Sequence, residues 1–444
     1  MKKEKETISI LGLGKSGVAC ANLAVSKGYK VFASDSGKAR THLQMKLDKR
    51  VETEFNGHTD KILKSDIIIK SPGLPPDLPI LKNTELNKIP VISEIDFAMS
   101  FIKPKKIIAV TGTNGKTTTT TLIYKIIKNY YKNAVVAGNI GFPLSSVTDK
   151  INKDTVLVLE LSSYQLEDSP DFRTDISVLL NITPDHIKHH KTMKNYVLAK
   201  ANIFKNQKQG DFIVFNYADK YLKEIIPLNK KSSFPFNFTK QNHNCIYYKD
   251  SAFHIIHKNK KIDFKAQVKI PGRHNIDNIL ASTAAAYLAG VPVDCIKKTI
   301  SSFNGVEHRI EFVKEIKGVK YYNDSKGTNV DSTKVALESF DKNIHLILGG
   351  QDKGSPYKPI YNLIKNKVKN IILIGEATPI IEKELKGAAP IYKAETIKNA
   401  IKKLHNTAKK GDIVLFSPAC ASFDQFKNFE HRGKTFKKII LSLN

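Results

Sequence analysis

A chain of 444 residues with 41% hydrophobic content is too long for one ordinary domain, so two or three are expected. Its 24 glycines and 18 prolines are not disorder levels, and it holds no apolar run long enough for a membrane-spanning helix. The net charge of +29, from 71 Lys+Arg against 42 Asp+Glu, is spread without a dense block or a nucleic-acid module, so no nucleic-acid partner is expected and anionic small substrates suit it better.

The start "MKKEKETISI" enters a strand with no apolar segment behind the lysines, so no signal peptide is expected. Cys20, Cys245, Cys295 and Cys420 lie far apart and form no C-x-x-C pair. Reduced thiols and a cytoplasmic location are expected, rather than a disulfide frame or a structural zinc site.

In chain order, "TISIL" predicts a strand, "GLGKSG" a loop, "VACANLAVSKG" a helix and "KVFASD" a second strand, a βαβ start. "KSDIIIKSPG" predicts a buried strand ending in a Ser71-Pro72-Gly73 loop, and Pro104 among lysines marks a linker. A second region opens on strand "KIIAV". "TVLVLE" and "DISVLLN" are further strands, "NYVLAKANIFKNQ" is a helix, and residues 230–270 read as two β-like runs. "GRHNIDNILASTAAAYLAG" is a helix with an Ala-rich face. From "GVEHRIEFV" onward, "HLILGG", "NIILIGE" and "DIVLFSPA" repeat a strand–helix pattern. The class is α/β with three domains: a Rossmann-like N-terminal domain over 1–102, a central P-loop ATPase-type domain over 103–305 and a C-terminal Rossmann-like domain over 306–444.

Gly12, Gly14 and Gly17, with Lys15 and Ser16 between them, fit G-x-G-x-x-G after a strand and before a helix. Such a turn lets the backbone approach a pyrophosphate, and Asp35 ends the next strand near the ribose-binding position. On these residues alone the ligand is a diphosphate-containing nucleotide, and an NAD-dependent dehydrogenase stays open.

"VTGTNGKTTTT", Val110–Thr120, is a second phosphate cradle. It is a shortened phosphate loop, G-x-x-G-K-T instead of G-x-x-x-x-G-K-[ST]. The amides from Gly112 through Gly115 would face phosphate oxygens, Lys116 would neutralise them, and the Thr117 hydroxyl would reach Mg²⁺. Glu160, Asp185 and His186 stand at strand ends, where sites collect in parallel α/β folds. In "DHIKHH", His189 and His190 read as solvated, with zinc the less favoured alternative.

"TGTNGKTTT", "GNIG", "ELSSYQL", "NITPDH", Ala199-Lys200, "HNIDN", "EHR" and "NDSKGTN" occur here in that order. This series resembles the Mur ligase family, which builds the peptide of bacterial peptidoglycan precursors by ATP-driven amide formation. The resemblance covers nearly the whole chain. "LGGQDKG" and "LFSPACASFDQFKNFEHRG" are similar to the branch that adds D-glutamate. Siblings adding another amino acid, and folate polyglutamate ligase, share the architecture.

The resemblance implies three partners: ATP, UDP-N-acetylmuramoyl-L-alanine and D-glutamate. It also implies two Mg²⁺ ions, with Mn²⁺ as an alternative, a monomer, and UDP in place of NAD at the first glycine loop. It assigns Lys116, His186, Lys200 and Lys326 to catalysis. ATP is given Gly112, Thr113, Asn114, Gly115, Lys116, Thr117, Thr118, Asn275, Asn278, Arg309 and Asp324. The UDP substrate is given Gly14, Lys15, Ser16, Asp35, Ser36, Ser71, Gly73 and Asn139, and D-glutamate Thr328, Lys353, Ser417 and Phe423. Thr117, Glu160, His186 and Lys200, the last as a carbamate, are the implied metal ligands. Read without the family, Lys200 is an exposed helical lysine and Phe423 a core aromatic. Hinges are expected near Pro104 and Asn304-Gly305. Two departures from the family stand out. Lys188 and His189 replace a carboxylate and an arginine, and Ser36-Gly37, with Lys38 and Arg40 nearby, replaces an arginine after Asp35.

Overall fold

The computed structural model describes residues 6–38, 46–228, 232–237 and 243–443. Arg40 lies outside the described residues. The chain divides into two compact units, residues 1–266 with 277–300 and residues 267–276 with 301–444.

The first unit holds two sheets. One is all parallel, in the order β3-β2-β1-β4-β5: β1 (Thr7–Leu11), β2 (Lys30–Asp35), β3 (Glu52–Phe55), β4 (Ile67–Lys70) and β5 (Val91–Ser93). Chain order reverses between β1 and β4, and ligands of such sheets bind in the crevice outside that reversal. The helix after β1 spans Lys15–Ser26. It begins inside the glycine motif, three residues before the predicted start at Val18, so Lys15 and Ser16 occupy its first turn.

The second sheet runs β14-β13-β12-β11-β10-β9-β6-β8-β7. Its strands are β6 (Lys106–Thr111), β7 (Ala134–Gly138), β8 (Val156–Glu160), β9 (Ile176–Leu179), β10 (Phe212–Asn216), β11 (Ser233–Phe236), β12 (Cys245–Lys249), β13 (Ala252–His257) and β14 (Lys260–Phe264). Its central strands are buried on both faces, as parallel strands covered by helices are: all five residues of β8 and all four of β9 are buried. Where two runs were expected across 230–270, four strands stand, the last three joined by two antiparallel hairpins. Their turns, Asp250-Ser251 and Lys258-Asn259, take positive φ at both positions. Tight hairpins need that conformation, but neither turn carries the glycine that usually signals it.

Buried contacts join the two sheets' domains. Lys70 Nζ lies 2.8 Å from Asp168 Oδ2. Ser93 Oγ and Ser169 Oγ share a 2.6 Å hydrogen bond, and the Ser145 amide donates to Glu94 Oε1 at 2.6 Å. Burial pushes the Glu94 and Asp168 carboxyls above the ordinary carboxylate range; for Asp168 the Lys70 ammonium opposes it. Removing one partner of such a pair would strand the other without water.

The second unit carries one sheet, β15-β16-β20-β17-β18-β19. Its strands are β15 (Glu311–Ile316), β16 (Val319–Asn323), β17 (Ile344–Gly349), β18 (Val368–Ile374), β19 (Ile391–Glu395) and β20 (Ile413–Phe416). Only β15 is antiparallel, paired to β16 across a Lys317-Gly318 turn with positive φ at both residues. The sequence reading had no separate place for β16 or β19, whose exposed polar residues interrupt the apolar run.

Candidate active site

Val110 pairs with Glu160 of β8 and with Val178 of β9. The phosphate loop therefore leaves the sheet between the strand ending in Glu160 and the strand leading to Asn181 and His186. Asn181 clamps the loop: its carbonyl O accepts from the Thr113 amide at 2.9 Å, its Oδ1 from the Asn114 amide at 2.8 Å, and its Nδ2 donates to Asn114 O at 3.1 Å. Thr113 Oγ1 further meets Tyr196 OH at 3.0 Å. The next helix, Lys116–Tyr130, is capped by Gly115 at φ +85° without a side-chain bond. Its first amides are the donors a helix N-terminus offers to an anion. A Cβ at Gly115 would also fall 2.2 Å from Asn278 Oδ1. Thr118, the remaining loop assignment, is buried within the helix's first turn.

Thr117 Oγ1 lies 3.4 Å from Glu160 Oε1, and Asn139 Nδ2 donates to that oxygen at 2.9 Å. Glu160 is buried, and among the described residues its Oε2 has no hydrogen-bond partner. An unpartnered buried carboxylate oxygen beside a hydroxyl suits a hard divalent cation, so these residues fit Mg²⁺. Asn139, assigned to the UDP substrate, stands beside these metal-ligand candidates.

Lys116 Nζ donates to Gly112 O at 2.8 Å, and Lys200 Nζ donates to the same oxygen at 2.9 Å. Lys200 is not an exposed helical lysine: it is 2% exposed, and its Nζ lies 4.7 Å from the centre of the Tyr196 ring. Desolvation, reinforced by Lys116, drives its pKa well below the ordinary lysine value. His186, with its side chain 45% exposed, stands in left-handed backbone at φ 54°. Partial desolvation and the charges of Lys200 and Lys116 lower its pKa against the pull of Asp185. Lys200 rides on the helix Met193–Lys205, which is N-capped by Thr192 Oγ1 accepting from the Asn195 amide. Thr192→Ala should weaken this helix by about 1 kcal/mol, seen as faster native-state hydrogen exchange of its first-turn amides and unchanged exchange elsewhere.

At the N-terminal loop, the Gly17 position leaves no room for a side chain: a Cβ there would lie 1.9 Å from Gly12 O. Ser71 Oγ donates to that carbonyl at 2.8 Å, joining the loops after β1 and β4. Asp35 accepts from the Leu13 amide at 2.6 Å and from the Gly37 amide at 2.8 Å. Its carboxylate therefore organises the glycine loop itself. Ser36 is exposed beside it, and Gly14 and Gly73 have open space where a Cβ would stand.

In the second unit, Asn323 and Ile347 both pair with Phe416, so the loops after β16, β17 and β20 lie at one edge. Asp324 is buried, and Ser417 Oγ donates to its Oδ2 at 2.6 Å. Burial pushes its pKa up to about 6, with the Ser417 bond and Arg309 opposing. The Ala419 amide donates to Gly327 O, and the Lys326 amide to His308 O, fixing the loop that carries Thr328. Asn275 Nδ2 donates to Pro271 O. Lys353 is exposed, and Phe423 is 67% exposed, so it is not a core aromatic. Arg432, unremarked in the sequence, is fully buried and holds this edge together. It donates to Ala421 O at 2.9 Å, Cys420 O at 3.0 Å, and Ser325 O and Oγ at 2.9 and 3.1 Å.

His189 and His190 are not solvated either. His189 Nε2 lies 2.6 Å from Glu167 Oε2, and the His190 side chain is wholly buried. His189, at the position of the family's arginine, thus pairs with Glu167.

Known proteins match along nearly the whole chain. Residues 6–93 match the model of the Mur ligase MurD-like N-terminal domain, 110–286 the Mur ligase middle domain and 308–420 the Mur ligase glutamate ligase domain. The UDP-N-acetylmuramoylalanine--D-glutamate ligase of Elusimicrobium minutum is 44% identical, over 98% of this chain and 97% of the relative. That of Koribacter versatilis is 43% identical, over 98% and 96%. Among solved structures, UDP-N-acetylmuramate-alanine ligase from Thermotoga maritima shares the fold at a TM-score of 0.59 and 18% identity, covering 98% of this chain and 99% of that one. A pseudomurein peptide ligase type C from Methanothermus fervidus does so at 0.58 and 18%, covering 99% and 100%. With three Mur ligase domain models matched in order along it and relatives 44% and 43% identical over 98% of its length, the chain belongs to the Mur ligase family of ATP-dependent amide-bond-forming enzymes.

Proposed function

We propose that this enzyme joins D-glutamate to UDP-N-acetylmuramoyl-L-alanine, with ATP as co-substrate, in bacterial peptidoglycan precursor synthesis. The observation that carries the reaction type is the cluster at the phosphate loop, where Lys116 and Lys200 converge on one carbonyl beside the unpartnered Glu160 oxygen. The choice of D-glutamate is supported by the names of relatives matched end to end at 44% and 43% identity.

A carboxylate is a poor electrophile, and its phosphorylation supplies a leaving group. The alanyl carboxylate attacks the γ-phosphorus of ATP and ADP leaves, giving an acyl phosphate. The amine of D-glutamate attacks that carbonyl, and the tetrahedral intermediate collapses with loss of phosphate and a proton. In this reading the UDP diphosphate lies on Gly14, Lys15 and Ser16 at the first helix N-terminus. Lys116 leaves the loop carbonyls to neutralise the transferring phosphoryl oxygens. Thr117, Glu160, His186 and Lys200, as its carbamate, would hold two Mg²⁺ ions, which when bound would offset the negative charge built in both steps. Lys326 stabilises the same charge, Asp324 and Arg309 serve ATP, and Thr328, Lys353, Ser417 and Phe423 receive the glutamate. The domain limits 1–102, 103–305 and 306–444 follow these three substrate roles.

Phosphate release from ATP in the presence of UDP-N-acetylmuramoyl-L-alanine, measured over a panel of amino acids, tests the reading. D-glutamate should support turnover, and L-glutamate, L-alanine and diaminopimelate should not. Equal or greater turnover with another amino acid would move the enzyme to a sibling specificity.

A further inference from the structure

Glu167, His189 and His190 bring three metal-ligating atoms within 4.8 Å of one another, apart from the phosphate-loop cluster. Glu167 ends the helix Ser163–Glu167, and both histidines lie on the short helix Ile187–His190. His189 Nε2 is 2.6 Å from Glu167 Oε2, and His190 Nδ1 is 3.5 Å from Glu167 Oε1. The His190 side chain is completely buried, yet among the described residues its Nδ1 has no hydrogen-bond partner. Its other nitrogen, Nε2, lies 2.9 Å from Ser163 Oγ. With the proton on Nε2 and donated to that hydroxyl, Nδ1 directs a lone pair toward Glu167. The Tyr164 ring packs edge-on against His189 and stacks on His190, at centroid distances of 4.4 and 5.5 Å, which limits rotation of both imidazoles.

A buried nitrogen lone pair with no donor is costly, and a cation would satisfy it. Two imidazoles and one carboxylate form a donor set that suits Zn²⁺, with a fourth position left for water. Mg²⁺ prefers oxygen ligands, so the set discriminates against the cation expected at the ATP phosphates. Ligands about 2 Å from a shared ion stand somewhat more than 3 Å apart. The His190 to Glu167 spacing already fits, and the shorter His189 contact needs only a small opening of a partly exposed side chain. We propose that Glu167, His189 and His190 form a binding site for a divalent transition-metal ion of the Zn²⁺ class. The amides of His189 and His190 both donate to His186 O, at 3.0 and 3.1 Å, so an ion held there pins the turn that presents His186. The site depends on neither ATP nor the amino-acid specificity.

The test is a titration of the full chain, untagged and stripped with chelator, with Zn²⁺ followed by calorimetry and with Co²⁺ followed by visible absorption. One equivalent should bind, excess Mg²⁺ should not displace it, and Co²⁺ should give the intense visible bands of a tetrahedral site. Glu167→Gln and His189→Ala should each weaken binding by at least about 10-fold, and Glu160→Gln should leave it intact. Wild-type affinity in both Glu167→Gln and His189→Ala, loss in Glu160→Gln, or displacement by Mg²⁺ would overturn the site. The three residues would then be a metal-free hydrogen-bonded brace. Should either variant fail to fold, the wild-type Co²⁺ spectrum decides: weak octahedral bands, or no binding, reject the proposal.

Discussion

Lys200→Ala should lose at least about 10²-fold in turnover, and Lys200→Arg should fare no better. The expectation rests on an amine that is buried, shares one carbonyl with Lys116, and has its pKa driven well below the ordinary lysine value. Two ammonium groups on a single oxygen repel each other, and the uncharged amine relieves that repulsion. An uncharged amine is also the form that adds to CO₂: the nitrogen lone pair bonds to carbon, one proton leaves, and an anionic carbamate remains. Arginine keeps a positive charge and cannot follow this route. Acetate at high concentration should therefore restore part of the activity of Lys200→Ala, by supplying carboxylate oxygens in the vacated space, and none of that of Lys200→Arg. Steady-state kcat with and without acetate is the measurement. Full activity in Lys200→Arg would show that the residue acts as a cation.

Lys116→Ala should likewise reduce kcat by about 10²-fold or more at saturating ATP, while calorimetric binding of the UDP substrate stays unchanged. Lys116 is the only charged side chain between Gly112 and Thr117. Its Nζ rests on the carbonyls of Gly112 and Thr113, both at 2.8 Å. Those are weak partners beside a triphosphate, so the lysine is poised to exchange them for phosphoryl oxygens. Near wild-type turnover in the alanine variant would remove it from the chemistry.

The loops were legible because each follows a short, mainly apolar strand, where a glycine or a lone charge stands out. Val110, Glu160 and the start of the second glycine loop could be placed at strand ends from that contrast alone. Burial of polar groups was not legible in the same way. Lys200 reads as a surface residue by its type, and only the packing of its helix against the phosphate loop shows that it is enclosed. Asp35 was recognised at the right strand end, but its bonds to the Leu13 and Gly37 amides depend on how the loop folds back. Glu167 and His189 are 22 residues apart, and no local pattern announces their meeting. Arg432 was hidden for a related reason: its partners are backbone carbonyls, which leave no signature in side-chain identity.

The buried contacts through Lys70, Ser93 and Glu94 turn the two glycine loops of the first unit into fixed jaws of a caliper. One jaw is the GLGKSG turn and the other is the phosphate loop. If the first grips a diphosphate and the second a triphosphate, the gap between them gauges the reach from diphosphate to reacting carboxylate. Selection of the acceptor then acts on molecular length as well as on chemical groups, and a carrier one residue too long or too short is refused without any contact dedicated to its rejection.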